Sequence, residues 1–166
     1  IIIEIGPGKG ALTNLLVKKN YKKLYLIEKD NNLANNLIDK YKASNNIHII
    51  NRDALLFDFN QFVDEKNVII VGNLPFNIST QLLFKWLEQE KWPPFYKKML
   101  LMFQKEVAAR IISKHNNRDY GRISVAAQAR CKIKKILIAP RKIFNPIPKV
   151  EGAVLEFKPS KKYKNL

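Results

Sequence analysis

The 166-residue chain holds one cysteine, two histidines and only six glycines. The single Cys131 rules out a disulfide framework and fits a reducing compartment, where it reads as a small buried apolar residue. His48 and His115 have no paired cysteine or histidine at ligand spacing, so no metal site is expected. No apolar run approaches the roughly 20 residues needed to span a bilayer, and the opening isoleucines lack the basic leader of a signal peptide. No internal repeat is present. Acidic residues are scarce, 14 against 30 lysines and arginines, which leaves a net charge of +16. The imbalance is lopsided. Residues 1–72 carry ten basic and eight acidic side chains (+2), and residues 73–166 carry twenty and six (+14). A solvated basic face is the plain reading of a lysine-rich chain. An excess confined to one half also fits a polyanion laid across it, with nucleic acid the simplest candidate.

What is present alternates between apolar runs and helical patterns, the pattern of an α/β domain. Ile1 to Ile5 reads as a buried strand, followed by the turn Gly6-Pro7-Gly8-Lys9-Gly10 and a helix with an apolar face at Leu12, Leu15 and Leu16. The G-x-G-x-G spacing differs from the dinucleotide fingerprint, and an acidic Glu4 before the turn suits a cationic ligand better than a diphosphate. Gly8 lets the backbone pass close to such a ligand. Leu24 to Ile27 ends in Glu28, placed to hold ribose hydroxyls, and Ile47 to Arg52 leads into Asp53 with Ala54 beside it, placed to meet an adenine amine. Val68 to Gly72 ends at Asn73-Leu74-Pro75-Phe76. Gly6, Glu28, Asp53 and Asn73 thus follow successive strands and are expected to converge beyond the carboxyl ends of an open sheet. Further along, helices are expected over Thr80–Glu90, Lys105–Ser113 and Arg122–Ala129. Strands are expected over Met99–Phe103, Lys132–Ile138 and Ala153–Phe157. The Pro140–Pro148 stretch reads as a loop able to hold Phe144 over a pocket.

The Asn73–Phe76 tetrapeptide supplies what a planar exocyclic amine requires. The Asn73 side-chain oxygen and the Leu74 carbonyl accept hydrogen bonds, Pro75 fixes the turn, and the Phe76 ring stacks on a base. Alone it also reads as an ordinary strand-to-helix turn with a core Phe, in which Asn77 to Thr80 cap the following helix. The pattern resembles the Asn/Asp-x-Pro-aromatic signature of amino-group methyltransferases, and the glycine turn resembles motif I of class I S-adenosylmethionine methyltransferases.

Longer stretches resemble one family, the KsgA-type ribosomal RNA adenine dimethyltransferases. They are Glu4-Ile5-Gly6-Pro7-Gly8-Lys9-Gly10-Ala11-Leu12-Thr13, Asn73-Leu74-Pro75-Phe76-Asn77-Ile78-Ser79-Thr80 and Phe103-Gln104-Lys105-Glu106-Val107-Ala108. Tyr120-Gly121-Arg122-Ile123-Ser124-Val125 and the stretch from Phe144 through Pro146 to Val150 complete the set. The resemblance implies a Rossmann-like class I fold, a seven-stranded, mostly parallel sheet with helices on both faces. It implies S-adenosyl-L-methionine bound at Glu4, Gly6, Gly8, Glu28, Asp53, Ala54 and Asn73. Catalysis then falls to Asn73, Leu74 and Phe76, with Phe76 and Phe144 stacking on the target adenine. The implied substrate is small-subunit rRNA in an immature small ribosomal subunit, dimethylated at N6 of adjacent adenosines. The setting is bacterial cytoplasm or an organelle, the enzyme a monomer without metal or membrane. Gln104-Lys105-Glu106 and Tyr120-Gly121-Arg122 read equally as structural or RNA-facing. A resistance-type methyltransferase of large-subunit rRNA shares these motifs, though Gly6-Pro7-Gly8 and Leu74 favour the small-subunit enzyme. A family-derived mitochondrial transcription or ribosome-assembly factor is a second alternative, and a DNA or protein amine methyltransferase, which would more usually read Asn-Pro-Pro-Tyr or Asp-Pro-Pro-Tyr, is a third. Residues 1–158 are expected to form the catalytic domain and 159–166 a linker, with the family's N-terminal segment and C-terminal helical domain outside the chain.

Overall fold

Short runs of isoleucine, leucine and valine, each closed by glycine, asparagine or a carboxylate, become the strands of a single sheet. The computed structural model describes residues 1–144 and 147–160. Its strands are β1 (Ile2–Ile5), β2 (Leu24–Glu28), β3 (Ile47–Asn51), β4 (Val68–Gly72), β5 (Tyr96–Gln104), β6 (Cys131–Ala139) and β7 (Gly152–Pro159). They lie in the order β3-β2-β1-β4-β5-β7-β6. The first five pair in parallel, and β7 runs antiparallel between β5 and β6. The helices are α1 (Thr13–Leu16), α2 (Asn31–Tyr41), α3 (Phe76–Leu87), α4 (Lys105–Ile111) and α5 (Arg122–Arg130).

Central strands buried on both faces must be apolar at every position, and β1 and β4 are so but for Glu4. Ile3, Ile5, Ile27, Val68, Ile70, Leu101 and Phe103 face one side, packed with Leu82, Leu83 and Trp86 of α3, Ala108 and Ile111 of α4 and Ala127 of α5. Leu24, Leu26 and Ile47 face the other, against Leu37 of α2 and Leu16 of α1. Strand order reverses at β1, whose neighbours are β2 and β4. In sheets of this kind such a reversal opens a crevice beyond the carboxyl ends of the strands.

The main departure from expectation is the start of α3. It begins at Phe76, four residues before the anticipated Thr80, with Pro75 as its N-cap and no capping side chain. Asn77 to Thr80 are helical, and the Ser79 hydroxyl donates to the Phe76 carbonyl at 3.1 Å. Pro75 explains this: its φ of −55° and missing N–H suit the residue where a helix begins, so no hydroxyl cap is required. The helix α1 is a single turn, and Leu15 is exposed, which leaves Leu12 and Leu16 half-buried as its apolar face. Strand β5 starts three residues before Met99, and a 3-10 turn at Arg141–Ile143 interrupts the proline-rich loop. Ser160, just past β7, donates from its backbone to Arg130 and accepts the Trp92 indole N–H at 2.7 Å.

Candidate active site

The crevice assembles from backbone geometry first. Gly6, Gly8 and Gly10 all have positive φ (63°, 58° and 81°), a conformation that side chains disfavour, so the turn after β1 requires glycine. At Gly8 nothing lies within 4 Å of where a Cβ would stand, so this turn is open on its outer side. A Cβ on Gly6 would come 3.9 Å from Pro75. The first-strand turn and the Asn73–Phe76 turn therefore sit side by side, as the pairing of Ile5 with Gly72 requires.

Carboxylates then lock the turn. Glu28, at the end of β2, is almost fully buried and accepts the N–H groups of Gly8 and Asp30, each at 2.9 Å. Each oxygen retains a second acceptor site, so the carboxylate holds the glycine turn and can still receive two hydroxyls. Glu4 alternates away from Ile3 and Ile5 towards α1, is 2% exposed and accepts the Thr13 hydroxyl at 2.8 Å. Burial, reinforced by the nearby Glu28 charge, pushes its pKa up to about 7 despite that hydrogen bond. The Asn51 side-chain amide donates to the Glu28 and Lys29 carbonyls and ties β3 to β2. Asp53 is half-buried, accepts the Leu55 N–H at 2.9 Å and pairs with Lys29 at 2.8 Å. The Lys29 contact, then the Leu55 bond, holds its pKa below the usual carboxylate value. Ala54 is buried behind it. Two open cavities share this rim, one of about 590 Å³ bordered by Asn51, Asp53 and Leu56, the other of about 550 Å³ bordered by Glu28 and Asp30.

On the opposite side Asn73 is exposed and Leu74 is buried. A Cβ on Gly72 would stand 2.7 Å from Leu74 Cδ2, so glycine at 72 is what allows Leu74 to turn into the core and anchor the loop. Phe76 is half-buried and belongs to neither core cluster. Phe144 closes the Arg141–Ile143 turn, is also half-buried and lies outside both clusters. Asn145 and Pro146, part of the family-like stretch after it, lie outside the described residues. The structure thus brings Gly6, Gly8, Glu28, Asp53 and Asn73 to adjacent strand ends.

The two stretches that read equally as structural or RNA-facing have different surroundings. Lys105 pairs with Glu151 at 2.7 Å and its N–H donates to the Glu151 carbonyl, which clasps α4 to the segment entering β7. Tyr120 and Arg122 border a cavity of about 930 Å³ together with Thr80 and Phe84 of α3, Arg110 and Arg118. The residues that sequence reasoning passed over are Thr13, Lys29, Asn51 and Lys85. Thr13 sat inside a matched stretch, and Asn51 directly precedes the noted Arg52-Asp53. Lys85 has no sequence signal; its Nζ donates to the carbonyls of Leu55 at 2.6 Å and Phe57 at 2.7 Å, and more weakly to Ala54 at 3.5 Å.

Comparison with known proteins bears on this arrangement directly. The chain is 43% identical over 162 residues to ribosomal RNA small subunit methyltransferase A of Pelagibacter ubique (strain HTCC1062), covering 98% of the chain and 61% of that protein. It is 42% identical over 160 residues to the protein of that name from Blochmanniella floridana, covering 95% and 57%. Among solved structures, a dimethyladenosine transferase from Plasmodium falciparum superposes with a TM-score of 0.83 at 30% identity, over 96% of this chain and 56% of that one. The 23S rRNA methyltransferase ErmE follows with 0.77 at 25% identity, over 96% and 61%. The chain spans about six-tenths of the length of the curated relatives it matches. The family model described as ribosomal RNA adenine dimethylase matches residues 1–165, the stretch that carries the glycine turn, the strand-end carboxylates and the Asn73–Phe76 turn, and the chain belongs to that family.

Proposed function

We propose that this chain is the catalytic portion of an enzyme that dimethylates N6 of adjacent adenosines near the 3′ end of small-subunit rRNA. The observation that carries the reading is the adjacency of the Gly6–Gly10 turn and the Asn73–Phe76 turn at the point where strand order reverses. S-adenosyl-L-methionine supplies an electrophilic methyl group on a sulfonium. The residues present fit it. An open turn of positive-φ glycines would admit a close ligand, Glu28 has acceptor capacity that would serve ribose hydroxyls, and Asp53 with Ala54 would hold the adenine.

The target side must make a poor nucleophile reactive, because the N6 lone pair is delocalised into the ring. Asn73 Oδ1 and the Leu74 carbonyl accept the two N6 hydrogens, which favours a pyramidal nitrogen with its lone pair free for attack. Phe76, with Phe144 on the other face, holds the flipped base by stacking. Positioning supplies much of the rate, and the extra proton on the methylated nitrogen leaves to water, so no titrating base is needed. After the first transfer one hydrogen remains for one acceptor, which leaves room for a second methyl group. The arginine-lined cavity beside α3 supplies cations for the RNA backbone. Mass spectrometry of rRNA from immature small subunits and from large subunits, each treated with the full-length protein, tests the reading. Two adjacent N6,N6-dimethyladenosines are expected, and modification confined to large-subunit rRNA would overturn it.

A further inference from the structure

Lys85 is a half-buried ammonium on a helix whose neighbours Leu82, Leu83, Trp86 and Leu87 are all core residues. A charge in that setting must find acceptors or lose its proton. It finds three carbonyls, those of Ala54, Leu55 and Phe57. No backbone N–H reaches any of the three among the described residues. Its Nζ also lies 5.5 Å from the centre of the Phe59 ring. The three donors of an ammonium are thus spent on one stretch of chain, the turn that follows Asp53. Within the turn the N–H groups of Leu56 and Phe57 meet the Asp53 carbonyl and that of Leu55 its carboxylate, which Lys29 also pairs, while Ala54 and Phe57 pack into the core. Burial lowers the Lys85 pKa, opposed by the charges of Asp58 and Asp53.

We propose that Lys85 is a positioning residue for the methyl-donor site: it fixes the Asp53–Phe57 turn to α3, the helix that starts at Phe76. The inference rests on the assignment of Asp53 and Ala54 to the donor's adenine. Through Lys85 the donor pocket and the target turn share one rigid rod, about nine residues or 13 Å long. The residue touches neither ligand. Its effect is to keep the Asp53 carboxylate and the Ala54 backbone where a flat ring meets them, so its loss acts on donor affinity.

The test uses the full-length protein with Lys85→Met, which keeps the stem and removes the donors, and Lys85→Arg, which restores them. Calorimetry with S-adenosylhomocysteine, well below each melting temperature, should show about tenfold weaker binding for Lys85→Met, the loss of roughly one well-placed contact. KM for the donor should rise in step while KM for RNA stays put, and Lys85→Arg should recover most of the affinity. Amide exchange at residues 54–57 should quicken in unliganded Lys85→Met. If Lys85→Met does not fold, Lys85→Gln, which keeps one donor group, should show an intermediate affinity. Wild-type affinity in the folded variant, or a rise in KM for RNA equal to that for the donor, overturns the proposal. Asp53→Ala separates the two layers. Weakened binding there with normal binding in Lys85→Met sinks the positioning role alone, and normal binding in Asp53→Ala removes the donor-site assignment and the positioning role with it.

Discussion

At the scale of single residues, burial and charge decide what each carboxylate can do. Glu4 is the clearest case. Its folded pKa near 7 lies above its ordinary 4.5, so the native state prefers the protonated form. Its contribution to stability is fully present below about pH 4.5 and is lost as pH rises through about 7. The full loss is on the order of 3 kcal/mol. Glu4→Gln keeps an acceptor for Thr13 and cannot ionise. Denaturant titrations from pH 5 to 8 should show wild type losing stability that the variant does not. Leu74 divides its duties differently. Its carbonyl belongs to the proposed chemistry, yet its side chain is core, so Leu74→Ala should cost about 2–5 kcal/mol of unfolding free energy. The sequence showed the Asn73–Phe76 turn but not this anchoring, because nothing local says which way a leucine after Gly-Asn points. The two phenylalanines are the counterpart. Phe76 and Phe144 lie outside the core clusters, so Phe144→Leu should melt like wild type, bind donor normally and methylate poorly. Normal methylation in that variant would remove Phe144 from the site.

At the scale of elements, strands were more legible than helices. A β-branched run between turn residues leaves little choice, and the strand ends at Glu28 and Gly72 lie where the sequence put them. The start of α3 was misread because Asn77, Ser79 and Thr80 look like caps, whereas Pro75 had already set the helical entry. The clasp between α4 and the segment before β7 was illegible, since Lys105 and Glu151 stand 46 residues apart. Gly72 is where packing and site geometry meet. Gly72→Ala would thrust a methyl group into Leu74, and the loop must shift to relieve it. Reduced thermal stability together with weakened methylation is expected, and calorimetric melting beside an activity assay checks it.

At the scale of the whole molecule, charge is divided as the chemistry would ask. The half that follows the Asn73 turn carries nearly all the excess positive charge, and Arg110, Arg118 and Arg122 border one cavity within it. Contacts to phosphate release counterions, so RNA affinity should fall steeply with salt while donor affinity barely moves. Replacing the three arginines with alanine should flatten that salt slope, by about one unit per lost phosphate contact. Composition revealed the asymmetry but not the cavity, which depends on α3, α4 and the loop before α5 coming together. The most direct measurement concerns Asn73 in the full-length protein. Asn73→Ala should still bind S-adenosylhomocysteine within a fewfold of wild type, since the other donor contacts remain, yet yield almost no N6,N6-dimethyladenosine when immature small subunits are digested and analysed by mass spectrometry. Near-normal dimethylation by that variant would contradict an amine activated by the Asn73 oxygen.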